Sequence, residues 1–139
     1  MKISARVANS LGDHHAEVTS NDSSQTLTIP PKATGFGSSA NGGELLFLAL
    51  ATCYCNDIYR EAGKRGIEVE RVEVEVDGEF GGVGGPARWI NYRAKVVASA
   101  TEAEIADLMR QTDTVAEIQN TLRLGIPVTL ESIEAVSSQ

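Results

Sequence analysis

The sequence predicts an α+β fold in which antiparallel strands surround a long apolar helix. Three observations carry this prediction: strand-like alternation up to Pro31, a helix-length apolar run after it, and two helical capping motifs late in the chain. The resulting order, βββ-α-ββ-αα-β, contains no regular βαβ repeat, which favours α+β over a doubly wound fold. With 139 residues, we expect a single domain over residues 1–139.

The first three predicted strands come from the N-terminal segment, where apolar and polar residues alternate. The apolar positions are, strand by strand, Ile3, Ala5 and Val7; Ala16 and Val18; and Leu27 and Ile29. Polar turns separate these runs, and Pro30 and Pro31 end the third strand because proline has no N–H to donate to a ladder. The pattern predicts a three-stranded antiparallel meander.

The predicted central helix spans Glu44–Ala62 and is apolar on every side in its first half. A Gly- and Ser-rich loop precedes it, in which Ser39 or Asn41 can cap the helix N-terminus, and Gly66 follows as a C-cap glycine. A helix that is apolar all round needs cover on all sides, which one small sheet cannot supply. A second helix or a second subunit must therefore pack against it.

The C-terminal half predicts a hairpin, two helices and a last strand. The hairpin positions are Val72, Val74 and Val76, followed by Ile90, Tyr92, Ala94 and Val96. Capping boxes at Thr101 and Thr114 each predict a helix start, with a break between the helices near Asp113. Apolar residues in the segment Val128–Ile133 predict the final strand.

Composition excludes several classes of partner. The net charge of −7 argues against nucleic acid and anionic membranes, since both attract clustered Lys and Arg. The longest apolar run, Leu45–Cys55, is shorter than the about 20 residues that a membrane span needs. The polar N-terminus does not resemble a signal peptide, so we expect a cytoplasmic protein.

Two short motifs give no support for a cofactor or a metal. Gly35–Ala40 matches a loose dinucleotide-binding fingerprint, but it does not follow a strand within a βαβ unit. His14 and His15 are adjacent, so in a strand they would point to opposite faces, and no further ligand lies near them in sequence; the better interpretation is a solvated turn over Asn9–His15. We expect neither a cofactor nor a metal, although an imidazole could still approach a thiol through the fold.

Cys53 and Cys55 are the residues most open to chemistry. On a helix they lie about 200° apart around the axis, so they cannot bond to each other. A reactive thiolate needs a nearby cation or a helix N-terminus, and Cys53 lies well inside its helix. Two interpretations stay open from the residues alone: cysteines that only pack, or one functional thiol.

The stretch from Gly35 to Cys53, GFGSSANGGELLFLALATC, resembles the signature loop and helix of the OsmC/Ohr family. Asn120–Val128, NTLRLGIPV, resembles the segment that follows the family's second cysteine. The resemblance implies an OsmC-like α+β protomer with antiparallel sheets. It also implies an intertwined homodimer, with the long central helices in its core and the sites at the interface.

The resemblance also implies thiol peroxidase chemistry, in which one cysteine attacks a hydroperoxide and a second, resolving cysteine condenses with the sulfenic acid. Cys53 matches the attacking cysteine. The resolving position is held by Ala116, with Glu117 where the family has proline. Cys55 is no substitute because of its place on the helix.

Two other family positions also differ. The glutamate of the peroxidase branches falls on Gly43, so Glu44 matches only the looser Ser-Glu-Leu-Leu form of the wider family. The arginine that activates the thiolate belongs in the first hairpin, where this chain has Asp13, His14 and His15. Glu44 and His15 are therefore the weaker site candidates beside Cys53.

Two functions remain open. In the first, Cys53 reduces organic hydroperoxides and an external thiol resolves the sulfenic acid, which requires an accessible thiol of lowered pKa. In the second, a non-catalytic homodimer binds a small ligand at the subunit interface, as the loss of the resolving cysteine and of the arginine suggests. Hydrolysis or acyl transfer by Cys53 lacks an identifiable base and oxyanion donor.

Overall fold

The computed structural model describes all 139 residues. In chain order the elements are β1 (Ile3–Ser10), β2 (Asp13–Ser20), β3 (Ser23–Leu27), α1 (Gly42–Arg65), β4 (Glu68–Phe80), β5 (Ala87–Ser99), α2 (Glu102–Val115) and α3 (Glu117–Leu124). The chain divides into two compact units, Met1–Phe47 and Leu48–Gln139, called here the N-terminal and C-terminal units. None of the three helices combines the length and the apolar character needed to cross a bilayer.

In the N-terminal unit the first three strands form an antiparallel sheet in the order β1-β2-β3, which confirms the predicted meander. Short turns join the strands, and Gly12 (φ 73°) and Asn21 (φ 53°) adopt the left-handed conformation that such turns use. β3 ends at Leu27, two residues short of the predicted Ile29, so the ladder stops well before the prolines.

Helix α1 begins at Gly42, and Asn41 caps its N-terminus. The Asn41 side chain accepts a hydrogen bond from the backbone N–H of Glu44 at 2.8 Å, and the Glu44 carboxylate accepts one from the Asn41 N–H at 2.9 Å. Gly66 follows the helix with a φ of 68°, as a C-cap glycine does. The predicted helix Glu44–Ala62 is confirmed and extends at both ends.

The core of the C-terminal unit forms where α1 packs against the β4–β5 hairpin and α2. The fully buried members are Tyr54, Ile58 and Ala62 from α1 and Leu108 from α2. The hairpin side chains packed on them include Val72, Val74, Tyr92, Ala94 and Val96, which the alternation predicted to share a face. Burying each side chain of Leu or Ile size contributes about 1.5–3 kcal/mol, so this cluster holds the unit together.

The two C-terminal helices start differently from the prediction. The capping box at Thr101 is present, since its hydroxyl accepts from the Glu104 N–H at 3.2 Å. The predicted start at Thr114 is wrong, because its hydroxyl donates to the carbonyl of Gln111 at 2.7 Å and α2 continues past it. The break falls at Ala116, whose extended backbone separates α2 from α3.

The predicted final strand over Val128–Ile133 is absent. Residues 126–139 contain neither helix nor strand, and the apolar side chains Val128, Leu130, Ile133 and Val136 are largely exposed. A strand needs a neighbour that accepts and donates its backbone hydrogen bonds. The segment is in neither sheet of the protomer, so the predicted strand has no ladder partner there.

Candidate functional site

Cys53 lies midway along α1, and the helix places two charged residues on its face. Asp57 and Arg60 follow at spacings of four and seven residues, which bring side chains to one side of a helix. Glu117, the first residue of α3, lies 64 residues later in the sequence, and its side chain also contacts Cys53. These four residues are called the Cys53 cluster.

The four side chains of the Cys53 cluster form a closed ring of contacts. The Cys53 Sγ lies 3.6 Å from Asp57 Oδ2 and 3.7 Å from Glu117 Oε2, so its single proton can be donated to either carboxylate. The other oxygen of each carboxylate accepts from Arg60 Nη1, at 2.9 Å for Asp57 and 3.1 Å for Glu117. Each carboxylate therefore joins the thiol on one side to the guanidinium on the other.

One side of the ring is buried and the other faces solvent. The Asp57 side chain is 8% exposed, whereas that of Glu117 is 63% exposed and that of Arg60 is 41% exposed. Cys53 itself is half-buried. The open side of the ring is therefore at Glu117 and Arg60, while Asp57 forms the buried floor of the site.

A second carboxylate group fixes the guanidinium of Arg60. Arg60 Nε donates to Glu61 Oε2 at 3.0 Å, and Lys64 Nζ contacts the same oxygen at 3.0 Å. Hydrogen bonds from Lys64 and Arg60 lower the pKa of Glu61 and keep it ionised. Arg60 therefore contacts three carboxylates, those of Asp57, Glu61 and Glu117. Their negative charges offset its positive charge, so Arg60 does little to stabilise a thiolate at Cys53.

This arrangement raises the pKa of the Cys53 thiol. Burial is the main cause, a hydrogen bond from the backbone of Ile118 opposes it, and the charges of Asp57 and Glu117 raise the pKa further. The lowered pKa required by the peroxidase hypothesis is thus not what the protomer shows. The raised pKa favours the protonated thiol, since both side-chain partners of the sulfur are hydrogen-bond acceptors.

The two carboxyl groups of the cluster have shifted pKa values of opposite sign. Burial and the neighbouring Glu117 raise the pKa of Asp57 in spite of Arg60. A hydrogen bond from the backbone of Glu117 itself, at the start of α3, lowers the pKa of Glu117, and Arg60 adds to that effect. Asp57 is therefore the more basic carboxylate of the pair.

The contacts between α3 and the rest of the unit determine where Glu117 lies. Gln119 Nε2 donates to the backbone carbonyl of Leu50 on α1 at 3.0 Å. Arg123 Nη2 contacts Asp113 Oδ1 at 2.8 Å, and the hydroxyl of Tyr92 donates to the same carboxylate oxygen. These contacts hold α3 against α1 and α2, and Asp113 of α2 is itself bound to β5, so the Glu117 carboxylate meets the thiol.

The cluster contains atoms of the kind that bind metals. The sulfur of Cys53 and one oxygen each of Asp57 and Glu117 lie within 4.8 Å of one another. The guanidinium of Arg60 already provides the positive charge at both carboxylates, at 2.9 and 3.1 Å. Arg60 binds the oxygen of each carboxylate that faces away from the sulfur, so the positive charge of the cluster is supplied by a side chain of the protein.

The weaker predicted candidates belong to the N-terminal unit. Glu44 is engaged in capping α1 through Asn41. His15 lies on β2, with its Nε2 3.6 Å from Glu17 Oε2.

Cys55 lies on α1 beside Ala51 and Val74, on a different side of the helix from the Cys53 cluster.

The prediction from sequence missed Asp57 and Arg60 as partners of the thiol, and it noted Glu117 only as a departure from the family pattern. The spacing of Asp57 and Arg60 from Cys53 was sufficient to predict that they lie beside it, because helical residues four and seven positions apart share a face. Across a separation of 64 residues, the one signal that linked Glu117 to Cys53 was its place beside Ala116, because a resolving cysteine at that position must reach the attacking cysteine.

Comparisons with known proteins agree with the fold and motif. A family model of OsmC-like proteins matches residues 35–131. Among solved structures, an OsmC-like protein of Mycoplasma pneumoniae is 22% identical, with a TM-score of 0.59 and coverage of 86% of this chain and 87% of that one. An OsmC-like protein of unknown function from Vibrio cholerae is 17% identical, with a TM-score of 0.59 and coverage of 87% and 93%.

A third structure, an organic hydroperoxide resistance protein from Legionella pneumophila, is 19% identical, with a TM-score of 0.52 and coverage of 88% of this chain and 90% of that one. No curated protein sequence matches this chain significantly. The structural matches confirm the predicted α+β fold with antiparallel sheets. The family model covers more than half of the chain, and the chain therefore belongs to the family of OsmC-like proteins.

Proposed function

We propose that this protein reduces organic hydroperoxides at Cys53 and that an external thiol returns the cysteine to its reduced form. One observation carries the proposal. Of the two cysteines, Cys53 has three ionisable side chains arranged around it and is half-open to solvent. Membership of the OsmC-like family supports it, as do structural relatives from Legionella pneumophila and Elizabethkingia anophelis that are described as organic hydroperoxide resistance proteins.

The reaction proceeds in two stages. The sulfur attacks the outer oxygen of the hydroperoxide, an S–O bond forms and the O–O bond breaks, which gives a sulfenic acid and an alcohol. An external thiol then condenses with the sulfenic acid to a mixed disulfide and water, and a second thiol releases Cys53 as a disulfide leaves. The resolver is external because Ala116 stands at the family's resolving position and Cys55 lies on another side of α1.

We further propose that the protein acts as a homodimer in the cytoplasm. Apolar side chains remain exposed on the protomer, among them Leu48 on α1 at 60% and Leu45 at 38%. A second copy that covers them would remove this apolar surface from water. A reducing cytoplasm would supply the external thiols that the reaction consumes.

The test compares the wild-type protein with Cys53→Ser and with the matched control Cys55→Ser. We expect the wild type and Cys55→Ser to consume cumene hydroperoxide with a dithiol donor, and Cys53→Ser to be inactive. Trapping with a dimedone-type reagent should mark Cys53 alone, as measured by peptide mass spectrometry. A wild-type protein with no more turnover than Cys53→Ser would refute the proposal.

The raised pKa of Cys53 favours a second candidate function, the binding of a small ligand without catalysis. The C-terminal unit contains a cavity of about 260 Å³ lined by Leu50, Trp89, Tyr92, Gln119 and Arg123. The buried Oε1 of Gln119 accepts no hydrogen bond, so a ligand with a donor group would suit it. This alternative predicts that the wild-type protein has no peroxide turnover. It also predicts that the wild type and Cys53→Ser bind an anilinonaphthalene dye equally well.

A further inference from the structure

The immediate partners of the Cys53 sulfur are carboxylates rather than a cation. Asp57 and Glu117 contact the sulfur at 3.6 and 3.7 Å, and Arg60 reaches these carboxylates from their far side. Direct contact with a cation would stabilise a thiolate before substrate arrives. Contact with carboxylates does the opposite, and it places an acceptor for the thiol proton within hydrogen-bonding distance.

Hydroperoxide reduction needs a proton to move as well as a bond to form. The thiol loses its proton when the sulfur attacks, and the leaving alkoxide must gain one as the O–O bond breaks. A single group beside the sulfur can do both, as a base towards the thiol and then as an acid towards the leaving oxygen. No net proton is consumed, and the products are a sulfenic acid and an alcohol.

The two carboxylates of the cluster are not equally suited to this task. Asp57 lies on the buried floor, and its raised pKa makes its carboxylate the stronger base of the two. Glu117 is mostly in solvent, and the start of α3 and Arg60 hold it in the ionised form. The pairing of both with Arg60 keeps the Asp57 carboxylate turned towards the sulfur.

We propose that Asp57 is a catalytic residue that accepts the proton of the Cys53 thiol and passes it to the leaving oxygen of the hydroperoxide. Arg60 and Glu117 are positioning residues that hold the Asp57 carboxylate against the sulfur. This role rests on the proposed reduction of hydroperoxides. It assigns thiol activation to a base carried four residues after the cysteine on α1.

The proposal separates two reactions of the same sulfur. Alkylation by iodoacetamide releases iodide, which needs no proton, so its rate follows only the fraction of thiolate. Hydroperoxide cleavage releases an alkoxide and needs the proton carrier. Removing the charge of Asp57 should therefore accelerate alkylation, because the thiol ionises more readily, and slow the reaction with peroxide.

The experiment uses Asp57→Asn in the Cys55→Ser background, so that only Cys53 reacts. At about pH 7.5 we expect alkylation to become about 3- to 10-fold faster and single-turnover oxidation by cumene hydroperoxide about 10- to 100-fold slower. Alkylation is measured by intact mass and oxidation by trapping of the sulfenic acid. Asp57→Glu, which retains a carboxylate, should restore at least part of the peroxide rate.

Two further variants complete the experiment. Glu117→Gln should accelerate alkylation and should slow the reaction with peroxide less than Asp57→Asn does, because the proton carrier remains and only part of its positioning is lost. Asp107→Asn removes a carboxylate whose partner is Arg65 on the same unit, and it should change neither rate. Circular dichroism of each variant shows whether it is folded, and Asp57→Ser, which also removes the carboxylate, replaces Asp57→Asn if that variant is not folded.

The outcomes distinguish the two levels of the proposal. A peroxide rate of Asp57→Asn that rises together with its alkylation rate would overturn the role of Asp57 and leave hydroperoxide reduction intact. A wild-type protein that is alkylated at Cys53 but never oxidised by the hydroperoxide would overturn the function itself. Opposite changes of the two rates, with rescue by Asp57→Glu, would establish Asp57 as the proton carrier.

Discussion

The C-terminal unit contains two aspartate–arginine pairs with opposite behaviour. In the first, Asp57 pairs with Arg60, and its pKa is raised by burial and by Glu117. In the second, Asp113 pairs with Arg123; burial acts to raise its pKa, but hydrogen bonds from Tyr92 and Arg123 outweigh it and lower the pKa.

The other neighbours of each pair account for the difference. Asp113 receives donors only, so its ionised form is stabilised and the pair ties α2, α3 and β5 together. Asp57 lies beside a second carboxylate, Glu117, and a thiol. It shares the guanidinium of Arg60 with Glu117, so its ionised form is less favoured. An ion pair alone therefore does not determine whether a carboxylate is structural or chemically responsive.

The largest expected difference between the pairs is in stability. Asp113→Asn leaves Arg123 and the Tyr92 hydroxyl with weaker partners and should lower the free energy of unfolding by about 1–2 kcal/mol, allowing for partial exposure. Asp57→Asn removes one of two neighbouring carboxylates and should change it by less than about 1 kcal/mol. Urea denaturation monitored by circular dichroism measures both. Equal losses would show that the two pairs play the same structural role.

Arg60→Gln tests the chemical side of the comparison. Without the guanidinium, the charges of Asp57 and Glu117 face the sulfur uncompensated, so the pKa of Cys53 should rise further. We expect alkylation at about pH 7.5 to become about 3- to 10-fold slower and its pH profile to move to higher pH. Arg123→Gln is the matched control and should leave the profile in place. A profile that moves to lower pH would contradict the assigned role of Arg60.

The smallest expected effect concerns the pH dependence of stability. The lowered pKa of Asp113 contributes stability above its unfolded value of about 3.9, which is lost as the pH falls through the native pKa. The raised pKa of Asp57 has the opposite sign: its contribution is present below about 3.9 and is lost as the pH rises through the native value.

The destabilisation caused by Asp113→Asn should therefore shrink on acidification from neutral pH to about pH 3, whereas Asp57→Asn should gain relative stability as the pH rises over the same interval. Urea midpoints at four or five pH values, compared with the wild type, measure both slopes. Parallel slopes for the two variants would show that the two aspartates do not titrate in opposite directions.

The sequence predicted the elements that local pattern determines. The alternation in the hairpin and the run of apolar residues in α1 were sufficient, because burial on one face or all round follows directly from them. The prediction of a final strand over Val128–Ile133 was wrong because a strand also needs a partner strand, which no local pattern reveals. The prediction of a capping box at Thr114 was wrong because its hydroxyl donates to the carbonyl of Gln111, three residues earlier in α2.

The candidate site divides in the same way. Helical spacing is sufficient to predict that Asp57 and Arg60 lie on the same side of α1 as Cys53. It does not predict the position of Glu117, because that depends on the contacts of Gln119 with Leu50 and of Arg123 with Asp113. Long-range docking of this kind depends on tertiary packing that a single sequence does not reveal.

The two carboxylates beside Cys53 also determine which laboratory reagents report on it. A dianionic aromatic disulfide, the common reagent for counting thiols, meets Glu117 on the open side of the site and is repelled. A neutral maleimide does not meet that barrier. Thiol counts made with the anionic reagent at low salt will therefore be too small, and added salt should bring the two reagents into agreement.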